Sequence, residues 1–258
     1  MSSRWFLHKQ WFLRGMAGLL LAAAAALPPA VAADDPRCAL PDLMTYNEQP
    51  MPRVARRLKS GEPLRIVILG SSSSLQTTKG LPRSYVVGLP DALGQRLKDA
   101  TLRIDNLSER TFTAAQMADA IAQKIPALQP DLVIWQTGNV DAAQKVDINS
   151  FAEALNSGLQ RLRSAGSDVL LVAPQFRMRL SAMVDVEPYN AAMVQIAVAE
   201  DAALFPRFEI MRHWAEAEVF DSRSTDLARQ MREAEAQNRC LAEHLAAMIV
   251  AAAKLATP

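Results

Sequence analysis

The chain has 258 residues, half of them apolar and few of them aromatic, which is enough for one sizeable core. Its formal charge of +1 at pH 7 is close to neutral and argues against a nucleic-acid partner. Residues 1–32 come first and read as a secretory signal peptide. Arg4, Lys9 and Arg14 form a basic start, Met16–Leu27 is an apolar run too short for a bilayer span, and Ala30–Ala32 is a small-x-small cleavage site. The alternative is an uncleaved anchor. Cleavage near Ala32 removes three bases and no acid, so the net charge of +1 falls to −2. The expected location is periplasmic or secreted, with no stable membrane span left after cleavage.

Residues 33–60 form a polar, proline-dotted leader, with Pro36, Pro41, Pro50 and Pro52. A regular alternation follows over 61–258. "LRIVILG" at 64–70 predicts a buried strand, and the second half of 85–99 a helix. "LRIDNLS" at 102–108 reads as a half-buried strand and 113–125 as an amphipathic helix. "PDLVIWQTG" at 130–138 is a second strongly apolar strand. Residues 150–166 read as a helix, with Ser150 as its cap and Gly166 as its stop. "SDVLLVAP" at 167–174 is a further buried strand, 188–201 a helix, and 203–214 a short strand leading into a helix. Residues 224–256 are alanine-rich and helical, with an expected break around Gln237–Asn238. Strands that are continuous apolar runs, alternating with helices, predict a three-layer α/β/α sandwich on a parallel sheet of about five strands. No repeat or interdomain linker interrupts it.

Two cysteines occur, Cys38 and Cys240. In an oxidising exported compartment a single pair favours one disulfide, tying the N-terminal segment to the last helix. Two separate buried thiols are the alternative. The histidines are few and not at ligand spacing, and no glycine-rich phosphate loop exists, so neither a metal nor a cofactor is expected. The arginines of "QFRMRL" at 175–180 read as solvated charges, with contact to an anionic ligand near a strand end as the alternative.

In open parallel sheets ligands bind at the carboxyl ends of strands. Three consecutive strand ends carry polar clusters here: Gly70–Ser74, Asn106–Thr113 and Thr137–Asp141. With "IVILGSSSS", "PDLVIWQTGN", "LLVAPQF", "LFPRFEIMRHW" and "RCLAEHLAAMI", they make the chain resemble the SGNH/GDSL hydrolases. The resemblance is to an exported bacterial branch that writes Gly-Ser-Ser for Gly-Asp-Ser. It implies a flavodoxin-like fold and hydrolysis of esters, thioesters or glycan acetyl groups. It also implies a serine nucleophile, an oxyanion hole from a glycine and an asparagine, and an Asp-x-x-His pair near the C-terminus.

The nucleophile position falls on Ser72, with Ser71 where most members carry aspartate. Asn106 fits the second motif, but Thr111 stands where the oxyanion glycine belongs, and its β-branch resists the backbone angles a glycine tolerates. In the third motif Gly138 is followed by Asn139 and Val140; Val140 takes the asparagine's place unless Asn139 points inward as the oxyanion donor. The fourth is missing. "STDLARQMREAEAQN" at 224–238 contains Asp226, Arg229 and Arg232 but no histidine, and arginine cannot act as a base. His213 and His244 are the histidine candidates for an unrecognised base, with Asp226 as orienter or weak base. His213 reads more simply as a packing or capping residue.

Two readings follow. In one, the protein keeps the serine, has lost the chemistry, and binds an acylated or carbohydrate ligand or a partner. In the other, it is a divergent serine esterase acting through Ser72 on a small-molecule or glycan ester.

Overall fold

The computed structural model describes residues 35–41, 49–75, 82–178, 183–221 and 223–256. The expected signal peptide lies outside these residues. Five parallel strands form one sheet in the order β2-β1-β3-β4-β5: β1 (Leu64–Leu69), β2 (Leu102–Asn106), β3 (Leu132–Gln136), β4 (Asp168–Val172) and β5 (Ala203–Phe205). The α/β architecture and strand number expected from the sequence are observed. Every residue of β3 is buried, as covering on both faces requires, whereas edge strand β2 alternates between exposed and half-buried positions.

Helices cover both faces. On one side lie α1 (Pro52–Ser60), α2 (Tyr85–Arg96) and α8 (Leu227–Leu255); there Val54, Leu89, Leu93, Leu241, Leu245 and Ile249 pack with Ile66, Ile68 and Ile134. On the other lie α3 (Ala114–Leu128), α5 (Ile148–Ser164) and α6 (Glu187–Ala199), where Met117, Ile121, Leu155 and Met193 pack with Val67, Val133 and Trp135. Two short helices follow strands: α4 (Asn139–Gln144) after β3 and α7 (Arg207–Glu216) after β5.

Four local expectations are corrected. The segment read as a leader contains α1, which enters the core through Val54 and Met51. Helix α2 starts at Tyr85 rather than midway, with Ser84 capping Val86 N–H; Pro90 is tolerated inside it. The cap of α5 is Asp147, whose carboxylate accepts from Asn149 and Ser150 N–H, so the helix begins two residues before Ser150. Helix α8 runs through Gln237–Asn238 without a break: no glycine or proline lies there, and Ala236, Cys240 and Leu241 bury a continuous stripe against α2.

Candidate active site and ligand cavity

Strand order reverses between β1 and β3, so their carboxyl ends face a crevice. After β1 the chain passes Gly70 and winds a single 3-10 turn, Ser72–Ser74. Gly70 is required by close approach: a Cβ there would lie 2.5 Å from Ser74 Oγ and 3.2 Å from Gln136 Oε1. The four serines then divide. Ser71 and Ser74 are buried, Ser73 is half-buried and Ser72 is exposed. Among the described residues, nothing hydrogen-bonds the Ser72 hydroxyl.

The neighbouring hydroxyls are engaged. Ser73 Oγ and Ser74 Oγ donate to Gln136 Oε1 at 2.8 and 2.7 Å, and Ser74 Oγ lies 3.1 Å from Tyr85 Oη. Arg207 Nη1 donates to Ser73 Oγ at 3.1 Å, and its guanidinium stacks 4.9 Å from the centre of the Tyr85 ring. Asn106 Nδ2 donates to the Ser74 carbonyl at 2.8 Å, fastening the turn to β2. Arg207 is 1% exposed, has no carboxylate partner among the described residues, and leaves Nε without an acceptor. Burial depresses its pKa to about 10, against an opposing effect of Tyr85, with the Arg177 charge adding a smaller depression. It remains charged at neutral pH. Burial raises the Tyr85 phenol, so Tyr85 is neutral.

Ser72 and Ser73 line a cavity of about 460 Å³, within the usual range for a small-molecule site. Its apolar wall includes Phe176, Met211, Trp214, Phe220, Leu227 and Met231. Among the described residues, three charged side chains also line it: Arg177, Arg223 and Glu233. Arg223 pairs with Glu218 at 2.7 Å, and Glu233 with Arg37 at 3.1 Å.

The remaining expected residues are not among those that line the cavity with Ser72. Asn139 exchanges two hydrogen bonds with the backbone of Gln175: Nδ2 donates to its carbonyl at 3.0 Å and Oδ1 accepts its N–H at 2.7 Å. Its amide thus clamps the loop after β4. Thr111 lies in an exposed turn and does not line the cavity. His213 is on α7, whose Met211, Trp214 and Ala215 face the cavity instead. His244 is on α8, with Nε2 2.7 Å from the Cys38 carbonyl. Asp226 caps α8 by accepting from Ala228 N–H. Cys38 and Cys240 are joined in a disulfide, as expected. No described helix is long and apolar enough to cross a membrane.

The sequence reading missed Gln136, Tyr85 and Arg207, and it named Asp141 only as the end of a polar cluster. Gln136 was signalled by a lone amide closing an apolar strand, and Arg207 by a charge directly after the "ALFP" strand end. Asp141 is buried in the turn after β3, accepting from Ala114 N–H, Gly138 N–H and Thr137 Oγ1. Gly138 adopts φ +97, which disfavours other residues, and a Cβ there would meet Pro174 at 2.7 Å.

Several solved structures share the architecture. LAE5, an α/β hydrolase enzyme from the metagenome of Lake Arreo, Spain, aligns with a TM-score of 0.55 at 18% identity, over 77% of this chain and 99% of its own. A catalytic mutant of Axe2, an acetylxylan esterase from Geobacillus stearothermophilus, aligns with a TM-score of 0.53 at 13% identity, over 69% and 94%. A lipase/acylhydrolase from Enterococcus faecalis gives 0.50 at 14% identity, over 67% and 92%. At these identities the likeness concerns the fold alone. None of the curated proteins matches the chain. The description "Non-GDSL lipase-like family" matches residues 37–255, nearly the whole described chain, and suits a serine turn written Gly70-Ser71-Ser72. The chain belongs to the Non-GDSL lipase-like family, and it shares its α/β fold with the solved hydrolase structures named above.

Proposed function

We propose that this protein is exported and uses the hydrolase cavity to bind an acylated ligand without cleaving it. The supporting observation is the absence of a base at Ser72. After residue 34 the sequence contains two histidines, His213 and His244, and neither lines the cavity that Ser72 lines. A serine hydroxyl without a base is a poor nucleophile at neutral pH. Asn139, the candidate oxyanion donor, spends both ends of its amide on Gln175. Loss of one oxyanion donor alone costs hydrolases about 3–4 kcal/mol in the transition state. The basic, apolar, small-residue pattern of 1–32 and the disulfide support export. In this reading residues 1–32 are removed, and the domain that carries the cavity includes α1. The ligand is a small-molecule or glycan ester, the class on which the named acetylxylan esterase relative acts.

One observation favours the second reading, an active esterase. Ser72 is exposed and lines a ligand-sized cavity, in the turn after β1, with none of the described residues hydrogen-bonded to its hydroxyl. The two separate by incubating the mature protein and its Ser72→Ala variant with a serine-directed fluorophosphonate and with short p-nitrophenyl esters. The binding reading expects no labelling and no turnover from either protein. Labelling or turnover that requires Ser72 overturns it.

A further inference from the structure

The first described residues are fastened to the cavity wall. Pro36–Cys38 is a single 3-10 turn capped by Asp35, whose carboxylate accepts from Arg37 N–H at 3.1 Å. The same carboxylate accepts from Arg37 Nε at 3.0 Å and from Nη2 at 2.8 Å. Two nitrogens on one carboxylate fix the plane of a guanidinium as well as its place. The third nitrogen, Nη1, donates to Glu233 Oε2 at 3.1 Å, and the guanidinium carbon stands over the Phe220 ring, 5.1 Å from its centre. Glu233 and Phe220 both line the cavity. The Glu233 oxygen also accepts from Asp221 N–H at 3.4 Å, and Phe220 meets Trp214, another lining residue, edge-on at 5.3 Å. The turn itself is anchored along α8: Cys38 is bonded to Cys240, its carbonyl lies 2.7 Å from His244 Nε2, and Asp35 lies 3.8 Å from Arg239. The Arg37 side chain is 39% exposed, and ion pairs at that exposure contribute little to stability. What the Arg37 contacts fix is the orientation of two side chains in the wall.

We propose that Arg37 is a positioning residue of the ligand site, and that the disulfide, by seating the turn on α8, completes the cavity wall. Phe220 lies in the connection from α7 to α8, where no helix fixes its ring; Trp214 meets its edge and Arg37 its face. Without Arg37 the ring gains freedom, and a ligand must order it on binding, at a cost in affinity. Glu233 loses its arginine at the same time. A carboxylate without its partner in a largely apolar wall is costly to desolvate, which also weakens binding of an apolar ligand surface. The inference rests on the cavity being the ligand site, and it holds whether the ligand is only bound or also cleaved.

The test is titration of the mature, disulfide-bonded protein with a neutral naphthylamine dye, at a temperature below every melting midpoint. Arg37→Met is expected to weaken dye binding about fivefold, the scale of one cation–π contact and one exposed ion pair together. Its melting temperature is expected to stay within about 4 °C of the wild type. Arg37→Lys keeps the charge without the fork and is expected to restore only part of the affinity. Arg163→Met removes a comparable ion pair, with Glu200, on the opposite face of the sheet and is expected to leave dye binding unchanged. The double variant Cys38→Ser, Cys240→Ser is expected to lose both melting temperature and dye affinity. In a Phe220→Leu background the effect of Arg37→Met is expected to shrink, because the ring it acts through is gone. Dye affinity unchanged by Arg37→Met and by the cysteine variant overturns the inference and leaves the cavity as the ligand site. An undiminished loss in the Phe220→Leu background overturns the route through Phe220. No dye binding by the wild type, or equal binding by Ala234→Phe, which fills the cavity, overturns the cavity as the ligand site and this inference with it.

Discussion

Ser72 shows how little a nucleophile position means without its neighbours. Its hydroxyl is exposed, while Ser73 and Ser74, one and two residues further along, are locked onto Gln136. The same economy governs Asp141. Its carboxylate is desolvated, which raises its pKa, but three donors hold it in place. Asp141→Asn presents a donor where Thr137 and Gly138, or Ala114, need an acceptor. We expect a loss of about 1–3 kcal/mol in urea unfolding, the cost of buried groups left unsatisfied. His244 gives a pH dependence. Burial lowers its pKa below 6.5, against a smaller opposing effect of its bond to the Cys38 carbonyl. A depressed folded pKa means that its contribution is complete above 6.5 and is lost as pH falls through the folded value. The melting temperature of the wild type is therefore expected to drop between pH 7 and pH 5 by more than that of His244→Gln; equal drops would contradict this.

Helix α1 shows how an element can be held from outside itself. It has no side-chain cap of its own at Met51. Asp168, at the start of β4, accepts from Val54 N–H at 2.8 Å and serves as the cap. Asp131, just before β3, accepts from Arg53 Nε and Arg57 Nε at 3.0–3.1 Å and from Arg65 N–H at 3.0 Å, so one buried carboxylate joins α1 to β1. Asp131→Asn keeps the volume and removes the charge. Both arginines can regain water, so the expected cost is about 1–3 kcal/mol, below that of a fully buried pair. Urea unfolding reads it, and an unchanged midpoint would show that α1 is held by packing alone. This helix was illegible in the sequence because its cap and its ion-pair partner lie 74 residues or more downstream, at strand starts. By contrast, Thr113 caps α3 from within, and the 113–125 reading found that helix to within three residues.

At the scale of the whole molecule, the Cys38–Cys240 disulfide ties the first described turn to α8 across 202 residues. Closing a loop of this length contributes about 3–5 kcal/mol by restricting the unfolded chain. Reduction with dithiothreitol is expected to lower the melting temperature by several degrees without abolishing the fold, since both faces of the sheet have complete apolar cores. A melt insensitive to reduction would contradict this. The sequence by itself determined the alternation of strands and helices, the parallel sheet and the place of Ser72, because each follows from local apolar periodicity and a turn beside a strand end. Only the tertiary structure decided what the serine turn meets. Gln136, Tyr85 and Arg207, which hold Ser73 and Ser74, come from three separate elements, and their convergence is set by strand order, which no local pattern encodes. The same holds for Asn139: its residue type fits an oxyanion hole, but the packing of the loop after β4 gives its amide to Gln175. The serine run is thus read from the chain, and the charge that surrounds it is read from the fold.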